Sequence, residues 1–335
     1  GKNEYIETKN SLIVITAPGP GSGKMAVALS QLYQEHKHGV KAGYAKFETF
    51  PIWNIPLSHP VNLAYEAATA DLNDVNMIDP YHLEAYGDTT VNYNRDIEVF
   101  PVLNAMFEKI YGESPYKSPT DMGVNMAGNC IVDDEAVKIA AKQEIIRRYY
   151  KERVEMVNGN SSPEILSKLE VLLNKAGTSI QDRPVVAAAK VKEELTGKPA
   201  ASIELADGTI VTGRTTSMMG ASSAMLLNAL KILAGVPDDV DLISPSVIKP
   251  IQQLKVDYFG SHNPLMHIDE TLIALTISAE TDENAKKALS KLSEIGGLEV
   301  HSSVILSITD ENTFHNLGVN LTCEPKYENK KLYHK

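Results

Sequence analysis

Leu12-Ile13-Val14-Ile15-Thr16-Ala17-Pro18-Gly19-Pro20-Gly21-Ser22-Gly23-Lys24 is an apolar, largely β-branched run that ends in alternating glycines and a lysine. A short, continuous run of this kind predicts a buried parallel strand. The period then changes. Met25, Ala28, Leu29, Leu32 and Tyr33 recur at three- and four-residue spacing, which predicts a helix stopping near Gly39. Strand, glycine loop and helix in this order form a phosphate cradle. Glycines let successive main-chain N–H groups turn toward one anion, the helix start adds its positive end, and Lys24 reaches the outer phosphates. Residues 40–47 read as a second strand completing a right-handed βαβ unit, with the loop at the carboxyl edge where such sheets bind ligands.

The match to the usual nucleotide loop is partial. That loop reads glycine, four residues, glycine, lysine, then serine or threonine. Here Pro18 holds the first glycine position and Met25 stands where the hydroxyl belongs. The hydroxyl normally contacts the magnesium of a nucleoside triphosphate. Either another side chain replaces it, or the site holds a phosphate without that metal. Gly19, Gly21, Ser22, Gly23 and Lys24 are thus the candidate binding residues for ATP or another phosphorylated nucleotide, with magnesium disfavoured. Glu48, Asp71, Asp74 and Asp79 are the acids that a metal or a nucleophile would use, and Asp79 ends a short apolar stretch, 75–78, like the strand of many nucleotide hydrolases. Capping and turn formation are the competing roles for these acids.

The chain has 335 residues, 43% hydrophobic and 22% charged, which is globular composition spread over more than one core. Its net charge of -11 repels polyanions and no basic stretch offsets it, so nucleic acid is excluded as the expected partner. No stretch has the apolar length to cross a bilayer, and the expected location is the cytoplasm. Cys130 and Cys323 are far apart and outside any Cys-x-x-Cys spacing, so neither a disulfide framework nor a thiolate zinc site is indicated. The chain lacks an initiator Met and its first strand signal comes within a dozen residues, which reads as a fragment.

The expected fold class is α/β. Residues 1–95 read as a P-loop-like parallel-sheet domain, 96–181 as a helical subdomain and 182–335 as a separate C-terminal α/β domain. Helices are predicted over 97–111, 133–156 and 163–175, strands over 185–189, 202–205 and 209–212, and a long helix over 220–234. Asp207-Gly208 is a hairpin signal. Helices over 270–278 and 283–295 and strands over 299–306 and 320–323 follow, whereas 60–87 gives no clear pattern. Thr215 to Ser217 and Gly220 to Ser223 precede a helix and suggest either a second anion site or ordinary capping. His262, His267 and His301 lack metalloprotease spacing.

The stretches 14–24, Gly43-Tyr44-Ala45-Lys46-Phe47-Glu48, 65–72, Asn92-Tyr93-Asn94-Arg95-Asp96 and Ser118-Pro119-Thr120-Asp121-Met122-Gly123-Val124-Asn125 resemble the bacterial family catalogued as domain of unknown function 1846, and the likeness continues through 247–251 and 301–303. The resemblance implies a multidomain α/β protein with a helical middle portion, preceded in other members by a further N-terminal region, and carries no activity with it. Residues 14–32 are also similar to the nucleotide loop of formyltetrahydrofolate synthetase and related ATP-using ligases, where threonine follows the lysine. The functional expectation is a protein that takes a small phosphorylated ligand at Gly19 to Lys24, as an NTP-dependent transferase or ligase using Lys24 with Glu48, Asp71 or Asp79. The alternative is a non-catalytic, anion-sensing or structural homo-oligomer.

Overall fold

A computed structural model of the chain describes residues 4–19, 21–47, 51–123 and 125–328. The protein is mixed α/β and separates into two compact units, Gly1–Ala141 and Lys142–Lys335.

In unit 1, α1 (Lys24–Lys37) opens at Gly23, whose φ of 87° suits glycine, and closes over His36 and Lys37, cations placed at the negative helix end. α2 (Pro60–Ala68) carries proline in its first turn behind His59, whose ring accepts the Val61 N–H. β1 (Asn76–Ile78) leads through Asp79 into α3 (Pro80–Tyr86), and β2 (Val91–Tyr93) returns antiparallel to β1, pairing Asn76 with Tyr93 and Ile78 with Val91. α4 (Asn94–Tyr111) follows directly, and α5 (Pro119–Met122) is a single turn closed by a capping box between Ser118 and Asp121. Phe100, Leu103 and Phe107 of α4 bury against Leu32 of α1 and Met122 of α5.

The parallel sheet expected around the glycine loop is not formed among the described residues. Leu12 and Val14 lie in extended chain 77% and 72% exposed, and the 40–47 segment makes one bridge, Lys46 to Gly123. β-branched residues favour extended backbone, but a buried strand also needs neighbours on both sides, and the strands of this unit pair with each other instead. A side chain holds the N-terminal segment. Gln31 of α1 donates from Nε2 to the Ile6 carbonyl at 2.8 Å and accepts the Ile6 N–H at 3.3 Å.

α6 (Asp134–Asn158) contributes residues to both units, and α7 (Pro163–Ala176) ends at Gly177. Residues 185–189, expected as a strand, belong to α8 (Pro184–Thr196). Proline in the first turn and three consecutive alanines outweigh the two valines there. β3 (Ala200–Glu204) and β4 (Ile210–Arg214) form the expected hairpin, its turn closed by the Gly208 N–H on the Leu205 carbonyl with Gly208 at φ 82°. α9 (Ala221–Ala234), α10 (Pro245–Gln253), α11 (Ile268–Ser278), α12 (Glu283–Leu289), β5 (Glu299–Ser302), α13 (Ile308–Asn316) and β6 (Asn320–Cys323) complete the unit. The sheet order is β4-β3-β5-β6, antiparallel except for the parallel β5–β6 pair.

Alternation along the strands separates the two faces. Ile203 and Val300 join Met225 and Leu226 of α9 in the apolar core. Close packing there requires Gly213, because a Cβ at that position would come 2.1 Å from the Met225 nitrogen. On the other face Ser202, His301 and Thr322 stand side by side across β3, β5 and β6, all buried. Buried polar groups need partners. Ser202 donates to the Val185 carbonyl, and Arg183, fully buried, fills all its guanidinium donor positions. Its Nε donates to Thr322 Oγ1 at 3.0 Å, Nη1 to Gln143 Oε1 at 3.3 Å and to Glu299, and Nη2 to the carbonyls of Val300 at 3.1 Å and Asn320 at 2.8 Å. Arg183→Lys keeps the charge and loses the planar fork, so buried acceptors go unmet. The expected cost is on the order of 3 kcal/mol in urea unfolding of the intact chain; a loss under about 0.5 kcal/mol, the size of an ordinary surface change, would contradict this role.

Candidate functional site

The loop before α1 closes on itself. Ser22 Oγ donates to the Gly19 carbonyl, and Lys24 Nζ donates to the same oxygen at 2.9 Å and to Ser22 Oγ at 3.4 Å. Gly21 and Gly23 have φ of 73° and 87°, and a Cβ on either would meet nothing within 4 Å, so conformation and not space calls for glycine there. Among the described residues, no hydrogen bond is found for the N–H groups of residues 21–26. Those of 23–26 are the four open donors that any helix start leaves, on residues that are exposed except for half-buried Met25, and a 14-residue helix follows them.

Two of the candidate acids, Asp74 and Asp79, are spent on partners away from that loop. Glu48 lies outside the described residues. Asp71 is exposed on a single turn, Ala70–Leu72. Asp79 follows a strand as expected, but it is fully buried and its carboxylate is occupied: Oδ1 accepts the N–H groups of Tyr81 at 3.0 Å and His82 at 3.1 Å, and Oδ2 accepts the Thr120 N–H at 3.2 Å and hydroxyl at 2.5 Å. It caps α3 and ties that helix to α5. Asp74 is buried too, and takes the Nε and Nη2 of Arg95 at 2.5 Å each. Among the described residues no group of three or more His, Cys, Asp and Glu side chains is placed to hold a metal ion.

A second constellation in unit 1 brings together residues far apart in sequence. Lys46 Nζ donates to Asp96 Oδ1 at 2.5 Å and to the Tyr93 hydroxyl, and sits 4.6 Å from the centre of the Tyr93 ring. Lys46 and Asp96 border a small cavity of about 30 Å³, lined also by Tyr44, Trp53, Asn92 and Thr120. The buried Trp53 Nε1–H has no acceptor among the described residues. The sequence reading did not pick out Lys46 or Asp96 as site residues, because they are fifty positions apart in the chain. The available signal was that 43–48, 92–96 and 118–125 each carried the family resemblance, and all three border this cavity.

In unit 2 the start of α9 is not open to a ligand. Ala221, Ser222 and Ser223 are buried, the Gly220 N–H and Ser223 hydroxyl both donate to the Met266 carbonyl, and Thr216 Oγ1 accepts the N–H groups of Met218 and Met219. Ser223 and Thr216 are thus spent on the loop around Met266 and Met219, whereas α9 begins without a side-chain cap and the buried Ser222 hydroxyl has no partner among the described residues. His262 is exposed. His301 is fully buried, and burial lowers its pKa and keeps the ring neutral. The Cys323 thiol is pushed up to about 12 by burial, so it is an inert core group. His267 begins α11 with its Nδ1 2.9 Å from Asp310 Oδ2, and this hydrogen bond raises its pKa above the ordinary 6.5.

Family models described as Domain of unknown function DUF1846, N-terminal, and its C-terminal counterpart match residues 1–177 and 181–333. The chain belongs to the DUF1846 family. Among DUF1846 relatives it is 59% identical over 335 residues to a UPF0371 protein of Corynebacterium urealyticum, and 56% identical over 335 residues to one of Streptococcus thermophilus. Those matches take in all of this chain and 67% and 68% of the relatives' lengths. The DUF1846 models divide between 177 and 181, one turn before Arg183, and the two compact units divide within α6.

Asp79→Ala removes a cap and strands the buried Thr120 donors, so a loss of roughly 2–4 kcal/mol is expected in thermal or urea unfolding. A variant as stable as the parent would show that the carboxylate has some task other than holding α3 to α5. For His267 the folded pKa is the higher one, so its contribution is whole below about pH 6.5 and fades as pH rises through the raised folded value. The melting temperature of the parent should therefore approach that of His267→Gln as pH goes from 6 to 9; a gap that stays constant would place the effect in packing.

Proposed function

We propose that the chain binds a nucleotide or another small phosphorylated molecule at the loop 19–24. One observation carries this reading: the N–H groups of residues 21–26 are unspent, on residues exposed except for half-buried Met25, beside Gly21 and Gly23 in left-handed backbone and the Lys24 ammonium. An anion entering there accepts from several amides at once, gains from the α1 dipole, and replaces the Gly19 carbonyl as the partner of Lys24. With Met25 after the lysine, the position whose hydroxyl normally contacts magnesium offers no oxygen.

Binding without turnover fits the described residues best, because Asp79 is spent as a cap and Asp74 is held by Arg95. Phosphoryl transfer or ATP-dependent ligation is the second reading, favoured by the lysine that would neutralise charge on a transferred phosphate. Exposed Leu12, Val14 and Phe47 favour a homo-oligomer in which a second copy covers them. A cytoplasmic setting suits a phosphorylated metabolite and the two free thiols.

Isothermal titration with ATP, AMP and inorganic phosphate tests the proposal. Lys24→Ala should weaken the tightest of these at least tenfold, about 1.4 kcal/mol, and chelation of magnesium should leave the affinity of AMP and phosphate unchanged. Equal affinities for parent and variant would remove the loop from ligand binding, and product formation from ATP would move the protein to the second reading.

A further inference from the structure

Unit 2 contains a groove of about 410 Å³, the size of a small-ligand site, with β6 as floor and α6 and α13 as walls. Its charges are ordered. α6 runs alongside β6 in the same direction, since Arg147 and Asn320 share Glu299, Tyr150 reaches Glu324, and Asn158 accepts from Tyr327. α13 runs the other way, because its end turns directly into β6 through the Gly318 N–H on the His315 carbonyl. Lys151 and Glu155 on α6, and His315 and Glu311 on α13, each lie one helical turn apart, about 6 Å. The opposed directions therefore put Lys151 and His315 at one end and Glu155 and Glu311 at the other.

The ends are not neutralised from within. Glu144 takes up Arg147 and Arg148. Among the described residues, no ion pair or side-chain hydrogen bond is found for Lys151, His315 or Glu311, and Glu155 accepts only from the Asn160 amide. Glu311 is half-buried, and burial followed by the nearby Glu155 and Asp310 raises its pKa, the mark of a carboxylate that lacks a cation.

We propose that this groove binds a short zwitterion of dipeptide length, its ammonium between Glu155 and Glu311 and its carboxylate toward Lys151 and His315. A fully extended dipeptide spans roughly 7 Å, which matches the one-turn separation of the charged ends. A polyanion is refused by the two glutamates, and a simple amine leaves the basic end unmet.

Calorimetric titration of the intact chain with alanyl-alanine, its N-acetyl form and its C-terminal amide separates the possibilities without any mutation. Alanyl-alanine should bind saturably and each blocked form at least tenfold more weakly. Glu311→Gln is isosteric and relieves a crowded negative charge, so its melting temperature should be maintained while the preference for a free amino group falls several-fold. Lys151→Gln, at an exposed position, should reduce the preference for a free carboxylate in the same way. Equal binding of the three peptides, no saturable binding of alanyl-alanine, or preferences unchanged in both variants would overturn the proposal. None of these readouts involves the phosphate loop of unit 1, so either reading can fail without the other.

Discussion

Arg183 enters unit 2 at the residue before α8 and donates to a side chain of α6, to the carbonyls of neighbouring strands, and to Thr322 and Glu299. A buried guanidinium is tolerable only when its donors are met, and five donors in a rigid plane leave little freedom in where the acceptors stand. That requirement fixes the parallel pairing of β5 and β6, because Val300 and Asn320 must offer their carbonyls to one nitrogen. It also explains why one face of the sheet is polar. Ser202, His301 and Thr322 would be misplaced against an oily layer, but they line the face where α8 and Arg183 supply partners. Burial lowers the Arg183 pKa and Glu299 opposes that shift, so charge and fold depend on each other.

The same network ends at Glu324, which lies at the sheet edge below Tyr150. Burial alone would push this carboxyl up, yet its polar surroundings, the Lys190 ammonium among them, hold it at about 2. His301 Nε2 is 3.5 Å from Glu324 Oε1 and makes no hydrogen bond, whereas Lys190 Nζ is at 2.8 Å, so the lysine is the direct counterion. Below this layer the groove floor is set by the same strand. The charges on α6 divide by partner: Arg147 and Arg148 are used inside the protein, and Lys151 and Glu155 are left to the groove.

Unit 1 carries two polar groupings of opposite character. The glycine loop is exposed, main-chain and flexible in what it can accept, whereas the Lys46, Tyr93 and Asp96 group is side-chain, partly buried and already paired. An anion needs no partner to be displaced from the amides of the first, while at the second it must compete with Asp96 for the ammonium. That difference is why the phosphate reading rests on the loop although the second group lies among three stretches shared with the family.

Helices were legible wherever apolar spacing and end chemistry agreed: α1 stops at His38 just before Gly39, α7 keeps its proline start and glycine stop, and β6 lies at the expected positions. The hairpin at Gly208 was legible because glycine there relieves a positive φ. The strand over 12–16 was misread because an apolar run states a preference for extended chain and says nothing of neighbours, and 185–189 because two valines were weighed above Pro184 and the alanines. The roles of Asp79, Arg183 and Lys46 could not be read at all, since each depends on partners 41, 139 and 50 positions away. The sequence by itself determined the α/β class, the ends of α1 and α7 and the left-handed glycines before α1, because these follow from local backbone preference and local spacing, and it gave the family through the likeness of long stretches. Only the tertiary structure decided which polar residues are spent inside the protein and which remain for a ligand, because a donor is free or used according to what stands within about 3 Å of it, and that is a property of the folded chain alone.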